Sequence, residues 1–251
     1  MKILICGKGG CGKSSITALL AIELEKRGYK VIVVDNDESN FGLHIQLGME
    51  LPKDFVLHFG GKKMVAEKLL KPKEGERSNV FGKGIRASGI PEDYMSKKGG
   101  ISLLAIGKIR DFGEGCACPF NALSADFLRM LELNKGEFAL VDTDAGVEHF
   151  GRGVEAGCNL ILMVIDPSQE SIRLAEKVSK ISESAGKPLY YVLNKIDEET
   201  ARFLLDSVDR NKVVSVIPED KRVFKNCLVG EALDFELKGI GELADFLERK
   251  T

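Results

Sequence analysis

A chain of 251 residues, 44% hydrophobic and 29% charged, is long enough to bury one large core without disulfide staples. Its 36 basic and 38 acidic residues leave a net charge of −2, so no basic field argues for a nucleic-acid partner. No window approaches the roughly 18 to 20 uninterrupted apolar residues of a membrane span, and the N-terminus carries no signal-peptide pattern, so a cytoplasmic protein with no membrane partner is expected.

The first apolar run, Lys2–Cys6, reads as a buried strand and leads into Gly7-Lys8-Gly9-Gly10-Cys11-Gly12-Lys13-Ser14-Ser15, which fulfils G-x-x-x-x-G-K-[ST] from Gly7 to Ser14. After a strand, such a glycine-rich turn points backbone N–H groups inward. Gly9, Gly10, Cys11, Gly12, Lys13, Ser14 and Ser15 are the candidate nucleotide-binding residues, ahead of a helix over Ser15–Arg27 whose N-terminus favours anions. Lys13 is placed to reach β- and γ-phosphates and Ser14 to ligate Mg²⁺. Lys8 also completes K-G-G-x-G-K-[ST], so the segment resembles the deviant P-loops of the family that contains nitrogenase iron protein, MinD, ParA and the arsenical-pump ATPases. The resemblance implies that Lys8 contacts phosphates across a face-to-face homodimer. Cys11 departs from the commoner Val or Thr and is expected to put a thiol beside the nucleotide.

A second strand, Lys30–Val34, ends in Asp35-Asn36-Asp37-Glu38-Ser39, where a carboxylate can polarise water or hold a metal's shell. The family resemblance gives the water-aligning role to Asp37 and leaves Asp35 a supporting one. From about 51 to 100 the chain is rich in Lys, Gly and Glu; it reads as a solvated insertion, partly helical around Val65–Leu70, within a single 1–251 domain.

The strand Ile101–Ile106 is followed by Gly115-Cys116-Ala117-Cys118-Pro119 and a helix over Ser124–Leu133. Cys116 and Cys118 offer two soft thiolates, half of the tetrahedral S₄ shell that suits Zn²⁺ or a similar metal, and a two-fold axis would supply the other half. The strand Phe138–Val141 ends in Asp142-Thr143-Asp144-Ala145-Gly146, where Asp142 is the candidate Mg²⁺ ligand. Asp-x-x-Ala-Gly resembles switch II of the MinD-like ATPases, which implies that the Gly146 amide senses the γ-phosphate; Asp144 has no assigned task.

Strand Leu160–Ile165 and helix Ser168–Ala185 precede strand Leu189–Leu193 and Asn194-Lys195-Ile196-Asp197, which resembles the guanine-reading N-K-x-D of GTPases. A helix over Glu198–Val208 and the strand Val213–Ile217 lead to Pro218-Glu219-Asp220, which resembles the I-P-x-D segment of MinD relatives. That second resemblance favours ATP, with Asn194, Pro218 and Asp220 at the base, while Asp197 pulls toward GTP. A last helix spans Gly239–Lys250. Alternating strands and helices of this kind predict an α/β fold, a doubly wound, mainly parallel sheet of about seven strands with helices on both faces and ligands at the strand C-termini.

Taken together, the deviant P-loop, the C-x-C, the run from Asp144 to Gly153 and the late I-P segment resemble the CooC-type accessory ATPases that insert nickel into carbon monoxide dehydrogenase. That resemblance implies a homodimer binding one Ni²⁺ or Zn²⁺ through Cys116 and Cys118 of both chains, with ATP and Mg²⁺ governing dimerisation and a nickel enzyme as client. Lys8, Lys13, Asp37 and Asp142 are its catalytic candidates. Glu148 and His149 read as helix surface and cap, Cys6, Cys158 and Cys227 as core thiols, and His44 and His58 as isolated. A MinD- or ParA-like positioning switch would need a basic tail or patch, whereas Ile240–Glu248 has an acidic face. An iron–sulfur carrier like nitrogenase iron protein would need a cysteine just after switch II, which 144–151 lacks.

Overall fold

Nearly continuous apolar runs can only be buried on both faces, and the chain answers this with a central sheet between two helical layers. The computed structural model describes residues 1–71, 79–82, 84–110, 116–147 and 150–251. Pro72 and Lys73 of the basic insertion, Gly115, Glu148 and His149 lie outside the described residues. The strands are β1 (Lys2–Gly7), β2 (Lys30–Asn36), β3 (Ser96–Lys98), β4 (Ile101–Ala105), β5 (Glu137–Thr143), β6 (Leu160–Ile165), β7 (Leu189–Ile196) and β8 (Val213–Pro218). They form one sheet in the order β3-β4-β2-β5-β1-β6-β7-β8. All neighbours are parallel except β3 and β4.

Alternation sorts the side chains of β1. Leu4 and Cys6 join one core with α4 (Cys118–Met130) and α5 (Gln169–Ser184), whereas Ile3 and Ile5 join the other with α1 (Lys13–Lys26) and α8 (Lys238–Glu248). Smaller helices complete the order: α2 (Leu43–Gln46), α3 (Lys62–Val65) running on as a π-turn over Ala66–Leu70, α6 (Glu198–Ser207) and α7 (Lys221–Val229). Side-chain caps fix three entries: Ser168 accepts from Ser171 N, Asp220 from Arg222 N, and Asp197 forms a capping box with Thr200. No helix among the described residues is long and apolar enough to cross a membrane.

The parallel α/β architecture is the expected one, and three details differ. An eighth strand, β3, adds an antiparallel edge; three residues of Ser and Lys carry no apolar period that would mark them. Helix α4 starts at Cys118 rather than near Ser124, because Pro119 sits in its first turn, where a missing N–H costs nothing. The insertion is not a solvated excursion throughout. Phe55 is fully buried, and its ring meets those of Phe59, Phe81, Tyr94 and Phe127 at centroid distances of 5.2 to 6.1 Å. The insertion is thereby packed onto α4, and the expected helical turn near Val65 seals it. Phe55→Ala should therefore cost about 3–5 kcal/mol in urea denaturation; a change under ~1 kcal/mol would show that the segment is not part of the core.

Candidate functional site

The loop after β1 needs glycine for physical reasons. Gly7, Gly10 and Gly12 have φ of 149°, 77° and 101°, and a Cβ on Gly12 would collide with the Asn194 amide. Gly12 caps α1, so the helix's unpaired N–H groups open into a cavity of about 520 Å³. Gly9, Gly10, Gly12, Lys13, Ser14 and Ser15 line its phosphate end, with Asp37 and Ala145 alongside. Apolar residues Ile217, Pro218, Val223, Phe224, Leu237 and Ile240 line the other end.

Parallel register sets a buried acid pair behind the loop. Asp35 of β2 lies beside Asp142 of β5, itself beside Ile5 of β1. The Ser14 hydroxyl donates to Asp142 Oδ2 at 2.6 Å and accepts from Asn40 Nδ2 at 2.7 Å. Thr17 Oγ1 lies 3.5 Å from Asp142 Oδ1. A hydroxyl and a carboxylate at this spot are the oxygen donors a hard divalent cation takes, so Ser14 and Asp142 fit Mg²⁺. Burial, then the Asp35 charge, push the Asp142 carboxyl up to about 7. Asp35 rises to about 6 through burial, against the pull of Lys108.

Two lysines serve the loop differently. Lys13 is buried and its Nζ reaches the Lys8 carbonyl at 3.3 Å. Lys8 instead pairs with Asp166 at 3.0 Å, which raises the lysine's pKa. Asp166 is in turn held by the Ser168 and Ser171 hydroxyls at 2.6 and 2.5 Å. Sequence reasoning passed over this acid, although its place directly after β6 is the same strand-end signal that marked Asp142. Lys108 was also missed: its Nζ is fully buried, 2.7 Å from Asp35, and donates to the carbonyls of Asp37 (2.6 Å) and Asn40. A lone lysine after an apolar run carries no sequence signal for such partners.

The other candidates divide between the cavity and its supports. Asp37 Oδ1 accepts from Ser39 N, Ser39 Oγ and Asn40 N, which fixes its own loop, while the residue lines the cavity. The Gly146 amide donates to Gly7 O at 3.2 Å. The Cys11 thiol, expected beside the nucleotide, is turned into the core and is fully buried, where its pKa is pushed up to about 11; only its backbone belongs to the loop. Asn194 donates to Cys11 O at 2.8 Å and Lys195, the non-glycine residue at φ 61°, to Gly10 O at 2.8 Å, so the N-K pair braces the loop. Asp197 caps α6 and is absent from the cavity wall, whereas Pro218 and Asp220 line it. Cys6 and Cys158 are core thiols; Cys227 is not, being exposed on α7 and lining the cavity 3.8 Å from Ser15 Oγ.

Cys116 and Cys118 stand at the N-terminus of α4, exposed and half-exposed. A hydrogen bond from Cys118 holds the Cys116 thiol below the usual range, helped by Arg152 and Lys62, and the bond raises Cys118 in turn. No group of three or more His, Cys, Asp or Glu suited to a metal occurs among the described residues. Among the described residues, then, the pair supplies two soft ligands, half of a tetrahedral shell.

Residues 2–233 match the CobQ/CobB/MinD/ParA nucleotide binding domain, and the chain belongs to that family. It is similar to the ATP-binding protein MJ0084 of Methanocaldococcus jannaschii, with 51% identity covering 99% of this chain and 100% of that one. It is also similar to the carbon monoxide dehydrogenase accessory protein CooC of Rhodospirillum rubrum, with 32% identity covering 89% and 85%. The cell-division ATPase MinD of Pyrococcus furiosus shares the fold, with TM-score 0.66, 22% identity and coverage of 100% and 99%.

The acid pair gives a test with a defined sign. The native chain keeps the Asp142 proton to about pH 7, whereas an unfolded carboxyl loses it near 3.8, so between these values the native state holds more protons and stability falls as pH rises. In chelator without nucleotide, Asp142→Asn should melt roughly 3 °C or more above the unaltered chain at pH 8, the gap closing toward pH 4. An equal or lower melting point at pH 8 would contradict the buried-charge account.

Proposed function

We propose that the protein is an ATP-driven homodimeric metal carrier that takes Ni²⁺, or Zn²⁺, as cargo on Cys116 and Cys118 of two chains and delivers it to carbon monoxide dehydrogenase or a related nickel enzyme. The observation that carries this reading is the pair of accessible thiols two residues apart at the start of α4, half a soft-metal shell in a chain whose nucleotide loop resembles those of a dimer-forming class. Similarity to CooC across most of both chains supports the client.

In this mechanism Lys13 and the amides at the start of α1 hold the β- and γ-phosphates. Ser14 and Asp142 would hold Mg²⁺, which would supply charge neutralisation on the phosphates. Asp37 orients the attacking water, and the Gly146 amide leaves Gly7 to meet the γ-phosphate. Lys8 must exchange Asp166 for the nucleotide of the partner chain. This makes Asp166 a resting-state holder of the lysine and sets an electrostatic threshold for dimer closure. Adenine is favoured at the base because Asp197 is committed to capping α6. Hydrolysis opens the dimer, and since a four-thiolate shell needs both chains, opening lowers metal affinity.

Native mass spectrometry under reducing conditions, with Ni²⁺ or Zn²⁺ and with or without ATP, tests the reading. One metal per two chains is expected, and Cys116→Ser or Cys118→Ser should weaken binding 100-fold or more. Unchanged affinity and stoichiometry in Cys116→Ser would overturn it. A metal-free chain that dimerises only with ATP would instead indicate a positioning switch. Lys13→Ala should reduce ATP turnover to background in the same preparations.

A further inference from the structure

Between the C-terminal end of β2 and the first turn of α4 lies a buried polar contact with no part in the nucleotide cavity. Asn36 stands between Asp35 and Asp37, and Asn121 lies three residues after Cys118; they are 2% and 1% exposed. Asn36 Nδ2 donates to Asn121 Oδ1 at 2.7 Å. The complementary atoms, Asn36 Oδ1 and Asn121 Nδ2, are buried without a hydrogen-bond partner, as is the Ser124 hydroxyl one helical turn on. Two facing carboxamides can exchange two hydrogen bonds, and this pair makes one. Buried polar atoms are ordinarily satisfied, and an apolar pair would fill the same space without that penalty.

The surroundings give the contact leverage. Asp35 is fixed by Lys108, which also holds the carbonyls of Asp37 and Asn40, so residue 36 belongs to the unit that surrounds Ser14 and Asp142. On the other side, Phe120 packs so closely on Gly107 that a Cβ there would lie 2.6 Å from its ring, leaving the first turn of α4 tied to the segment carrying Lys108. Movement of the Asp35–Asn40 loop relative to α4 would break the single amide bond or complete it into a double one, and movement that keeps the bond carries the first turn of α4 with it.

We infer that the Asn36–Asn121 amide pair is a two-state positioning element that couples the nucleotide site to the Cys116–Cys118 thiols within one chain. The inference rests on the proposed function for the importance of the thiols, but the coupling itself is intrachain and needs no dimer. In the resting arrangement the pair makes one hydrogen bond. With nucleotide and Mg²⁺ at Ser14 and Asp142, Asn40 is released from Ser14, the loop moves, and the pair re-forms with α4 displaced.

The test replaces both amides by a pair of similar combined volume, Asn36→Ala with Asn121→Leu, in the full-length protein; neither residue lines the nucleotide cavity. Asn121→Leu alone is the second variant if the first folds poorly. Zn²⁺ affinity is measured by competition with a chromophoric chelator, and thiol alkylation rates at Cys116 and Cys118 are followed separately, each with and without Mg²⁺ and a non-hydrolysable ATP analogue. In the unaltered chain the analogue should change both readouts about 5-fold or more. In the variants the change should fall within about 2-fold of none, while analogue affinity stays within about 3-fold of the unaltered value. A folded variant that responds like the unaltered chain overturns the inference, as does an unaltered chain in which neither readout responds. Absence of Zn²⁺ binding, with alkylation still responding and the response lost in the variants, would remove the metal-carrier function and leave the coupling standing.

Discussion

Side-by-side burial of Asp35 and Asp142 is the constraint around which the rest of the molecule is arranged. Parallel register between β2 and β5 puts the two carboxylates at the same level of the sheet, beside the loop that follows β1. Burial drives both acids above their ordinary range, and the neighbouring Asp35 charge raises Asp142 further. The chain answers with cations and donors from every neighbouring segment: Lys108 on Asp35, Ser14 on Asp142, and Lys13 nearby. These partners also form the nucleotide loop, the Asp37 loop and the segment leading to the thiols. A site poised to receive a divalent cation thus carries an unfavourable buried charge that the cation would neutralise.

That arrangement explains why the two proposed functions of the chain can share one sheet. The parallel strands β1, β2, β5 and β6 end in Gly7, Asn36, Thr143 and Ile165, with the site's polar residues at or just beyond these ends on one edge of the sheet. Helix α1 offers its N-terminus to phosphate, and α4 carries the thiols at its own, where the Cys118 hydrogen bond favours the Cys116 thiolate. Between them lie Lys108 and the Asn36–Asn121 contact, both buried and both polar. Buried polar groups in a sheet this apolar restrict the number of ways the layers can pack, and the conformations left over differ by discrete rearrangements of hydrogen bonds.

Much of this was legible in the amino-acid sequence because it depends on local spacing. The nine residues from Gly7 to Ser15, the acids directly after apolar strands, and the strand-helix alternation carry their meaning within short windows. What escaped was long-range. Lys108 and Asp166 gain their roles from residues 73 and 158 positions away, Asp35 and Lys8. Neither Asn36 nor Asn121 has a local pattern to mark it as a core residue. The insertion read as solvated because its lysines and glycines dominate the composition, while the one fully buried ring, Phe55, finds its partners on α4. Cys227 was misplaced because its helix is amphipathic without burying any residue.

The central claim is that soft metal is held between two chains rather than within one, and the coordination shell itself tests this most directly. Zinc K-edge X-ray absorption on protein loaded with one Zn²⁺ per two chains, with Mg²⁺ and a non-hydrolysable ATP analogue present, should show four sulfur ligands at about 2.3 Å. Two sulfurs completed by nitrogen or oxygen near 2.0–2.1 Å would place the metal on a single chain and contradict the account.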